Sequence, residues 1–169
     1  MHVLVGGWPG SGKTTLAVAL ASQLRVALLA KDELKEALAD ALGAPADVAA
    51  SQRLGRAAVR GVLTLARGCP DAVIDSTWFD DARPLVEALP RPLVEVRCVV
   101  PVEVARARYR ARAAARHPGH LDLDRDEREL WGSPAAPLGV GSLLEVDTSG
   151  PVDVPVVARQ VLLLAAGAE

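Results

Sequence analysis

The chain has 169 residues, about the length of one domain, and half of them are apolar. Only 3% are aromatic, so we expect a core of alanine, valine and leucine. The formal net charge of −2 excludes a strong general attraction to nucleic acid or to anionic membranes. No apolar run is long enough to span a bilayer, so we expect a cytoplasmic protein without membrane contact and leave its oligomeric state open.

Strand patterns and helix patterns alternate along the chain. Short apolar runs predict five β-strands, at residues 3–5, 26–30, 72–74, 93–100 and 143–146. Helical periodicity between them predicts six helices, at residues 13–24, 31–42, 47–67, 80–89, 101–116 and 154–166. Continuous apolar strands that alternate with helices pair in parallel. We therefore predict an α/β fold in one domain, residues 1–169, with a five-stranded parallel sheet and helices on both faces.

Residues 117–141 lack a clear period. This segment is rich in Asp, Arg, Gly and Pro, and it is too long for an ordinary connection. We therefore expect it to form a lid over a site. His117 and His120 flank Pro118 and Gly119 at its start, and no ligand spacing assigns them a role.

The most specific motif follows the first strand. The run Gly7-Trp8-Pro9-Gly10-Ser11-Gly12-Lys13-Thr14 satisfies the pattern G-x-x-x-x-G-K-[ST], with a strand before it and a helix after it. Its glycines let successive backbone N–H groups surround an anion, and the helix start adds positive charge at the same point. The motif predicts that the chain binds ATP with Mg²⁺. The predicted nucleotide-binding residues are Gly7, Gly10, Ser11, Gly12, Lys13, Thr14 and Thr15.

Within this loop, Lys13 is expected to hold the β- and γ-phosphates, and the Thr14 hydroxyl is expected to bind Mg²⁺. The chain has no guanine-recognition motif of the NKxD type, which favours ATP over GTP. Trp8 is unusual inside such a loop. It either covers the nucleotide or packs against the protein, and the sequence does not decide between these.

Two aspartates follow the second and third predicted strands. Ligands of an open α/β sheet lie at the carboxyl ends of its strands, where Asp32 and Asp75 are expected. Asp75 ends an apolar strand, as a carboxylate that holds Mg²⁺ does in P-loop enzymes. Asp32 is placed to accept the proton of an acceptor hydroxyl and to orient its oxygen. The two roles are interchangeable on the sequence alone, and both residues also suit helix caps or turns.

Arginines recur along the fifth predicted helix and into the lid segment, at residues 106, 108, 110, 112 and 116. Arg108, Arg112 and Arg116 share one helical face. An arginine there can stabilise the negative charge that spreads over a γ-phosphate during transfer. The alternative is a solvated basic helix.

A second stripe of arginines lies on the third predicted helix. Arg53, Arg56 and Arg60 are spaced at i, i+3 and i+7, so they share one face. They either bind an anionic acceptor or form a solvated face.

Together these motifs resemble the small P-loop kinases and phosphotransferases related to gluconate kinase, chloramphenicol phosphotransferase and bacterial polynucleotide kinase. Residues 29–35 are similar to the segment whose aspartate is the acceptor base in these enzymes. Residues 73–77, followed by Arg83, are similar to the D-[AS]-T stretch of polynucleotide kinases. Val104-x3-Arg108-x3-Arg112 is similar to the lid arginine pattern of the group.

The resemblance implies a three-layer P-loop NTPase fold and an ATP-dependent kinase that phosphorylates a hydroxyl of a small molecule. Its catalytic residues are then Asp32, Lys13, Arg108 and Arg112. Mg²⁺ is bound by Thr14 and Asp75. The substrate is bound by Lys35, Arg56, Thr77 and Arg83.

Two features speak against a nucleic-acid acceptor. Polynucleotide kinases place an arginine three residues after the base, where this chain has Lys35, a point charge without bidentate geometry. The few aromatic residues also leave no obvious platform for base stacking. The alternatives to a small-molecule kinase are a 5′-hydroxyl polynucleotide kinase and a nucleotide-gated ATPase or switch without a small-molecule acceptor.

Overall fold

The computed structural model describes residues 1–131 and 136–167. Within these residues the sheet consists of β1 (His2–Gly7), β2 (Ala27–Ala30), β3 (Ala72–Asp75), β4 (Leu93–Val99) and β5 (Ser142–Asp147). The α-helices are α1 (Lys13–Leu24), α2 (Lys31–Leu42), α3 (Val48–Ala66), α4 (Arg83–Glu87), α5 (Val102–Ala113), α6 (Glu127–Trp131) and α7 (Val154–Ala166).

All five strands pair in parallel, in the order β2-β3-β1-β4-β5. Alternate residues of β1 point to opposite faces: Val3 and Val5 join a cluster with α1 and α7, whereas Leu4 joins a cluster with α3 and α4. Both faces are therefore covered, which explains why the strands are continuously apolar. The predicted three-layer α/β fold is confirmed. Among the described residues, no helix has the length and apolar character that crossing a membrane requires.

Two predicted helices are shorter in the structure. The helix predicted at residues 80–89 is a 3₁₀ turn, Asp80–Ala82, followed by the short α4, because Pro84 suits only a first helical turn. The fifth predicted helix ends at Ala113 rather than at residue 116. Pro118 disfavours helical geometry at His117, whose φ and ψ are −53° and 133°.

The segment predicted as a lid is largely ordered against the rest of the chain. It contains 3₁₀ turns at Pro118–His120 and Asp122–Asp124, followed by α6. Residues 132–135 of the predicted lid lie outside the described residues.

A buried carboxylate anchors the end of this segment to the sheet. Glu95 lies in the middle of β4 and is only 4% exposed. Its Oε2 accepts a hydrogen bond from the Leu138 N–H at 2.6 Å, and its Oε1 accepts one from the Val140 N–H at 2.7 Å. Hydrogen bonds to an ionised carboxylate are stronger than neutral ones. Glu95 therefore fixes the backbone of residues 138–140 against β4.

We expect Glu95→Gln to lower the free energy of unfolding by about 1–3 kcal/mol, because the amide would point N–H donors at a backbone N–H. Urea denaturation of the variant measures the loss. Glu87→Gln, at an exposed position ending α4, is the matched control and should change stability little. Equal stability of the two variants would show that Glu95 is not an anchor.

Candidate active site

A cleft of about 610 Å³ opens at the carboxyl end of the sheet, where ligands of such sheets bind. The phosphate loop forms one end of it, through Trp8, Pro9 and Lys13. The other walls are α2, α3, the loop after β3 and the segment that follows α5. Eight of the described lining residues are lysine or arginine and four are aspartate or glutamate, so the cleft favours anions.

The phosphate loop has the backbone geometry of an anion-binding turn. Gly10 has φ +81°, and a Cβ there would lie 2.3 Å from the carbonyl oxygen of Ala105 in α5, so only glycine fits. Gly12, also at positive φ, begins α1, and within the described residues no side chain caps that helix. The N–H groups of its first turn therefore remain available to an anion. The buried Ser11 Oγ likewise has no hydrogen-bond partner among the described residues.

Lys13 and Asp75 lie buried beside this loop, at 7% and 4% exposure. Burial lowers the pKa of Lys13, and the charges of Asp75 and Asp32 oppose that shift. Burial likewise raises the pKa of Asp75, against the effects of Lys13 and of a hydrogen bond from the Thr14 side chain. The two charges therefore stabilise each other in a place where neither would be stable alone.

Asp75 Oδ1 is buried and has no hydrogen-bond partner among the described residues. An unsatisfied buried carboxylate oxygen is costly unless a ligand binds it. Carboxylate and hydroxyl oxygens are ligands that Mg²⁺ prefers, and Mg²⁺ keeps waters and phosphate oxygens in its remaining positions. Asp75 and Thr14 therefore fit a magnesium ion bound together with a nucleotide.

Asp32 lines the cleft and is held by two cations. Its Oδ1 accepts a hydrogen bond from Lys31 Nζ at 2.9 Å, and its Oδ2 accepts one from Arg116 Nη2 at 2.9 Å. Burial favours the neutral acid, but Lys31, Lys13 and Arg116 outweigh burial and hold the pKa of Asp32 far below its usual range. Asp32 is therefore ionised at any physiological pH.

The start of the predicted lid is docked on α2 and α3. Lys35, which is 3% exposed, donates a hydrogen bond from Nζ to Ser51 Oγ at 2.7 Å. Ser51 in turn donates to the carbonyl oxygen of Gly119 at 2.8 Å. Nε2 of His120 lies 2.7 Å from Oε1 of Glu36 on α2.

The two histidines at the start of this segment differ in position. His120 lines the cleft, whereas His117 does not. Nδ1 of His117 accepts a hydrogen bond from the Gly119 N–H, so its Nε2 carries the proton and donates it to Asp40 at 3.0 Å. His117 therefore stabilises the turn and its contact with α2.

The predicted lid arginines take different positions. Arg112 lines the cleft, and its guanidinium lies 5.9 Å from the centre of the Tyr109 ring. Arg108 does not line it: its two terminal nitrogens donate to the carbonyl oxygens of Thr148 and Ser149, each at 2.9 Å. Thr148 Oγ1 donates to the carbonyl oxygen of Ser11 at 2.6 Å. Arg108 therefore supports the phosphate loop from behind and does not line the cleft, and its contact with the transferring phosphate stays a prediction.

The predicted substrate-binding residues are mostly brought together. Lys35, Arg56 and Thr77 line the cleft. Arg83 lies elsewhere, with Nη2 3.5 Å from Asp80 Oδ1 one turn away. Of the predicted arginine stripe on α3, Arg60 also lines the cleft, whereas Arg53 does not.

The aromatic residues gather at this site. Four of the five in the chain line the cleft: Trp8, Trp78, Phe79 and Tyr109. The fifth, Trp131, packs against Trp8 and Tyr109, with ring centres 5.6 and 5.9 Å apart. Trp8 therefore packs against α6. Composition counts these residues without their positions, and the absence of a platform for base stacking stays a prediction.

Three cleft residues received no role from the sequence. Lys31 is adjacent to Asp32 and pairs with it, and Arg116 was only one of several arginines on a helix face. Arg116 also pairs with Asp122 at 3.2 Å. Arg125 pairs with Glu129 at 2.6 Å, and its buried Nε has no partner among the described residues. No motif marks Arg125, because only the folded lid segment brings it to the cleft.

Comparisons with known proteins show the family and the fold of the chain. The model of the AAA domain family matches residues 2–136. A solved structure described as a putative kinase from Chloroflexus aurantiacus J-10-fl is 32% identical, with 96% of this chain and 97% of that one covered and a TM-score of 0.81. No curated protein matches the chain.

More distant structures share the fold. A gluconokinase from Sinorhizobium meliloti 1021 is 18% identical, with 99% of this chain and 92% of that one covered and a TM-score of 0.61. Kti12 from Chaetomium thermophilum, solved with ADP-AlF3, is 22% identical, with 99% of this chain and 98% of that one covered and a TM-score of 0.63. The resemblance to small P-loop kinases is confirmed.

Lys35 should make stability depend on pH. Burial, reinforced by Lys31, lowers its pKa to about 8, from 10.5 in an unfolded chain. Between these values the unfolded chain binds a proton that the folded chain has lost, so the free energy of unfolding rises with pH. As the pH rises through this range, we expect the free energy of unfolding of wild type to increase relative to that of Lys35→Met. The increase is at most about 1.4 kcal/mol per pH unit. Urea denaturation of both proteins across this pH range tests the prediction. A difference in stability between wild type and Lys35→Met that does not change with pH would refute it.

Proposed function

The chain belongs to the AAA domain family and has a P-loop kinase-like fold, and from this premise we propose that it transfers the γ-phosphate of Mg-ATP to a hydroxyl group of a small molecule. The observation that carries the proposal is the pair of aspartates near one phosphate loop. Asp75 is buried beside the loop with an unpartnered oxygen, whereas Asp32 faces the open cleft as a fixed anion. A kinase needs these two environments, one for the metal and one for the acceptor.

The donor half of the site is the phosphate loop with Lys13. The N–H groups at the start of α1, which no described side chain caps, and the Lys13 ammonium bind the β- and γ-phosphates in this proposal. A Mg²⁺ ion held by Thr14 and Asp75 would neutralise charge on the same phosphates. Arg112 lines the cleft, which supports its assignment as the lid arginine that contacts the transferring group.

The acceptor half centres on Asp32. Its carboxylate accepts a hydrogen bond from the acceptor hydroxyl and so points the oxygen at the γ-phosphorus. A carboxylate this weakly basic does not remove the proton beforehand. The proton moves to Asp32 as the new O–P bond forms and the bond to the leaving ADP oxygen breaks, which suits a loose transition state. Lys31 and Arg116 keep Asp32 ionised and fixed in orientation.

Two other activities need to be distinguished from this one. A nucleotide-gated ATPase would hydrolyse ATP on water alone, whereas a kinase needs an acceptor. A 5′-hydroxyl polynucleotide kinase would bind oligonucleotides with a strong dependence on salt concentration, because it neutralises several phosphates. Acceptor dependence and salt dependence of ATP turnover therefore separate the three.

We expect ADP release to depend on an added hydroxyl compound. The test is a coupled ADP assay over a broad panel of sugars, hydroxy acids, nucleosides and hydroxylated antibiotics, with an oligonucleotide bearing a 5′-hydroxyl as a separate arm. Phosphorylated product confirmed by mass spectrometry supports the kinase. ADP release that no member of the panel increases would contradict it.

We expect Asp32→Asn to lower acceptor-dependent kcat by about 100-fold to 10,000-fold, because the amide cannot take the hydroxyl proton. Affinity for ATP should change only a few-fold, since Asp32 faces the acceptor side.

Asp75→Asn should instead weaken Mg²⁺-dependent ATP binding, measured by calorimetry with and without Mg²⁺.

Glu33→Gln is the matched control for Asp32→Asn, because Glu33 is the adjacent acidic residue and does not line the cleft. Its kinetics should match those of wild type. Normal acceptor-dependent turnover in Asp32→Asn would remove Asp32 from the mechanism.

A further inference from the structure

The positive charges of the cleft are unevenly compensated. Lys31 and Arg116 pair with Asp32, and Arg125 pairs with Glu129. At the phosphate end, Lys13 is opposed by Asp75, and in the proposed function Lys13 and Arg112 bind the phosphates of the nucleotide. These charges therefore have partners within the chain or on the donor.

The wall formed by α3 is different. Arg56 and Arg60 line the cleft one turn apart, and among the described residues neither guanidinium has a hydrogen bond or an ion pair. The buried Lys35 ammonium nearby contacts the Ser51 hydroxyl rather than a carboxylate. Asp81, on the opposite side of the cleft, is the one described lining carboxylate that has no ion pair with another described residue. The acceptor side thus keeps an excess of positive charge that a neutral acceptor would leave uncompensated.

The same part of the cleft has an apolar wall. Phe79, in the loop after β3, is 64% exposed although it lines the cleft. Val59 of α3 and Leu85 of α4 line it as well. The preceding Trp78 is buried and donates a hydrogen bond from its indole nitrogen to the carbonyl oxygen of Val5, which fixes the loop that carries Phe79. Phe79 is therefore an exposed apolar surface on a fixed support.

We propose that the acceptor is a small amphipathic anion, with a carboxylate or phosphate group that binds Arg56 and Arg60 and a ring or other apolar body that packs on Phe79. Its hydroxyl binds Asp32, which lines the same cleft. This inference rests on the proposed function and names the substrate class of the same site. A neutral polyol would leave the arginines unpaired, and a purely polar acid would leave Phe79 exposed to water.

A set of four matched alcohols separates the requirement for an anionic group from the requirement for a ring. 3-Phenyllactate carries a ring, a carboxylate and a hydroxyl; lactate lacks the ring, 1-phenylpropan-2-ol lacks the carboxylate, and propan-2-ol lacks both. Further sets are built in the same way, with phosphate in place of carboxylate and with other rings. We expect binding, measured by ligand-observed NMR with Mg-ADP present, to be strongest for the ring-bearing anions, by about 10-fold or more over either partial compound.

Variants assign the two contacts to their residues. Arg56→Gln/Arg60→Gln should weaken binding of ring-bearing anions about 10-fold to 100-fold and leave the neutral ring compounds unchanged. Arg53→Gln, on the same helix but outside the cleft, is its control. Phe79→Ala should remove the preference for a ring, whereas Leu65→Ala, an equally exposed apolar residue on α3 outside the cleft, should not.

Binding and turnover are measured separately, so different results would contradict the kinase activity and the acceptor class. Phosphorylation of neutral or ringless acceptors as readily as ring-bearing anions would overturn the acceptor class and leave the kinase intact. Absence of ADP release with every acceptor would overturn the kinase. In that case selective binding that depends on Arg56, Arg60 and Phe79 still supports the amphipathic-anion site, and unselective binding or none overturns it.

Discussion

The parallel order β2-β3-β1 is the constraint on which the site depends. Because the strands run parallel, every strand's carboxyl end lies at the same edge of the sheet, where ligands of such sheets bind. The segments after β1, β2 and β3 are therefore neighbours, although they are far apart in the chain. Lys13, Asp32 and Asp75 meet because Lys13 and Asp32 follow β1 and β2, and Asp75 is the last residue of β3. The packing of apolar side chains on both faces holds this arrangement.

Charge compensation then separates the roles of the two aspartates. Asp75 lies in the sheet edge with Lys13 and Thr14, where burial and an unpartnered oxygen favour a bound metal ion. Asp32 is surrounded by Lys31, Lys13 and Arg116, which keep it ionised despite burial. The same residue type thus serves two purposes because the surrounding charges differ. The sequence left these roles interchangeable, and the environments favour one assignment.

The segment after α5 is built into the cleft at both of its ends. At its start, Ser51 and Glu36 bind residues of the 118–120 turn, and at its end Glu95 binds the backbone of residues 138 and 140. Between these anchors, Trp131 packs against Trp8 of the phosphate loop. The acceptor wall and the nucleotide loop are therefore connected through the same segment.

The sequence by itself determined the strands, most helices, the phosphate loop and the two acidic positions. These features are local: apolar periodicity, glycines at positive φ and residues that directly follow a strand. Tertiary structure decided which arginines face the cleft. Arg108, Arg112 and Arg116 share a face of the predicted helix, but Arg108 binds the backbone after β5, whereas Arg112 and Arg116 line the cleft. It also decided that the few aromatic residues gather at one site. Composition counts residues, but only packing across distant segments places them together.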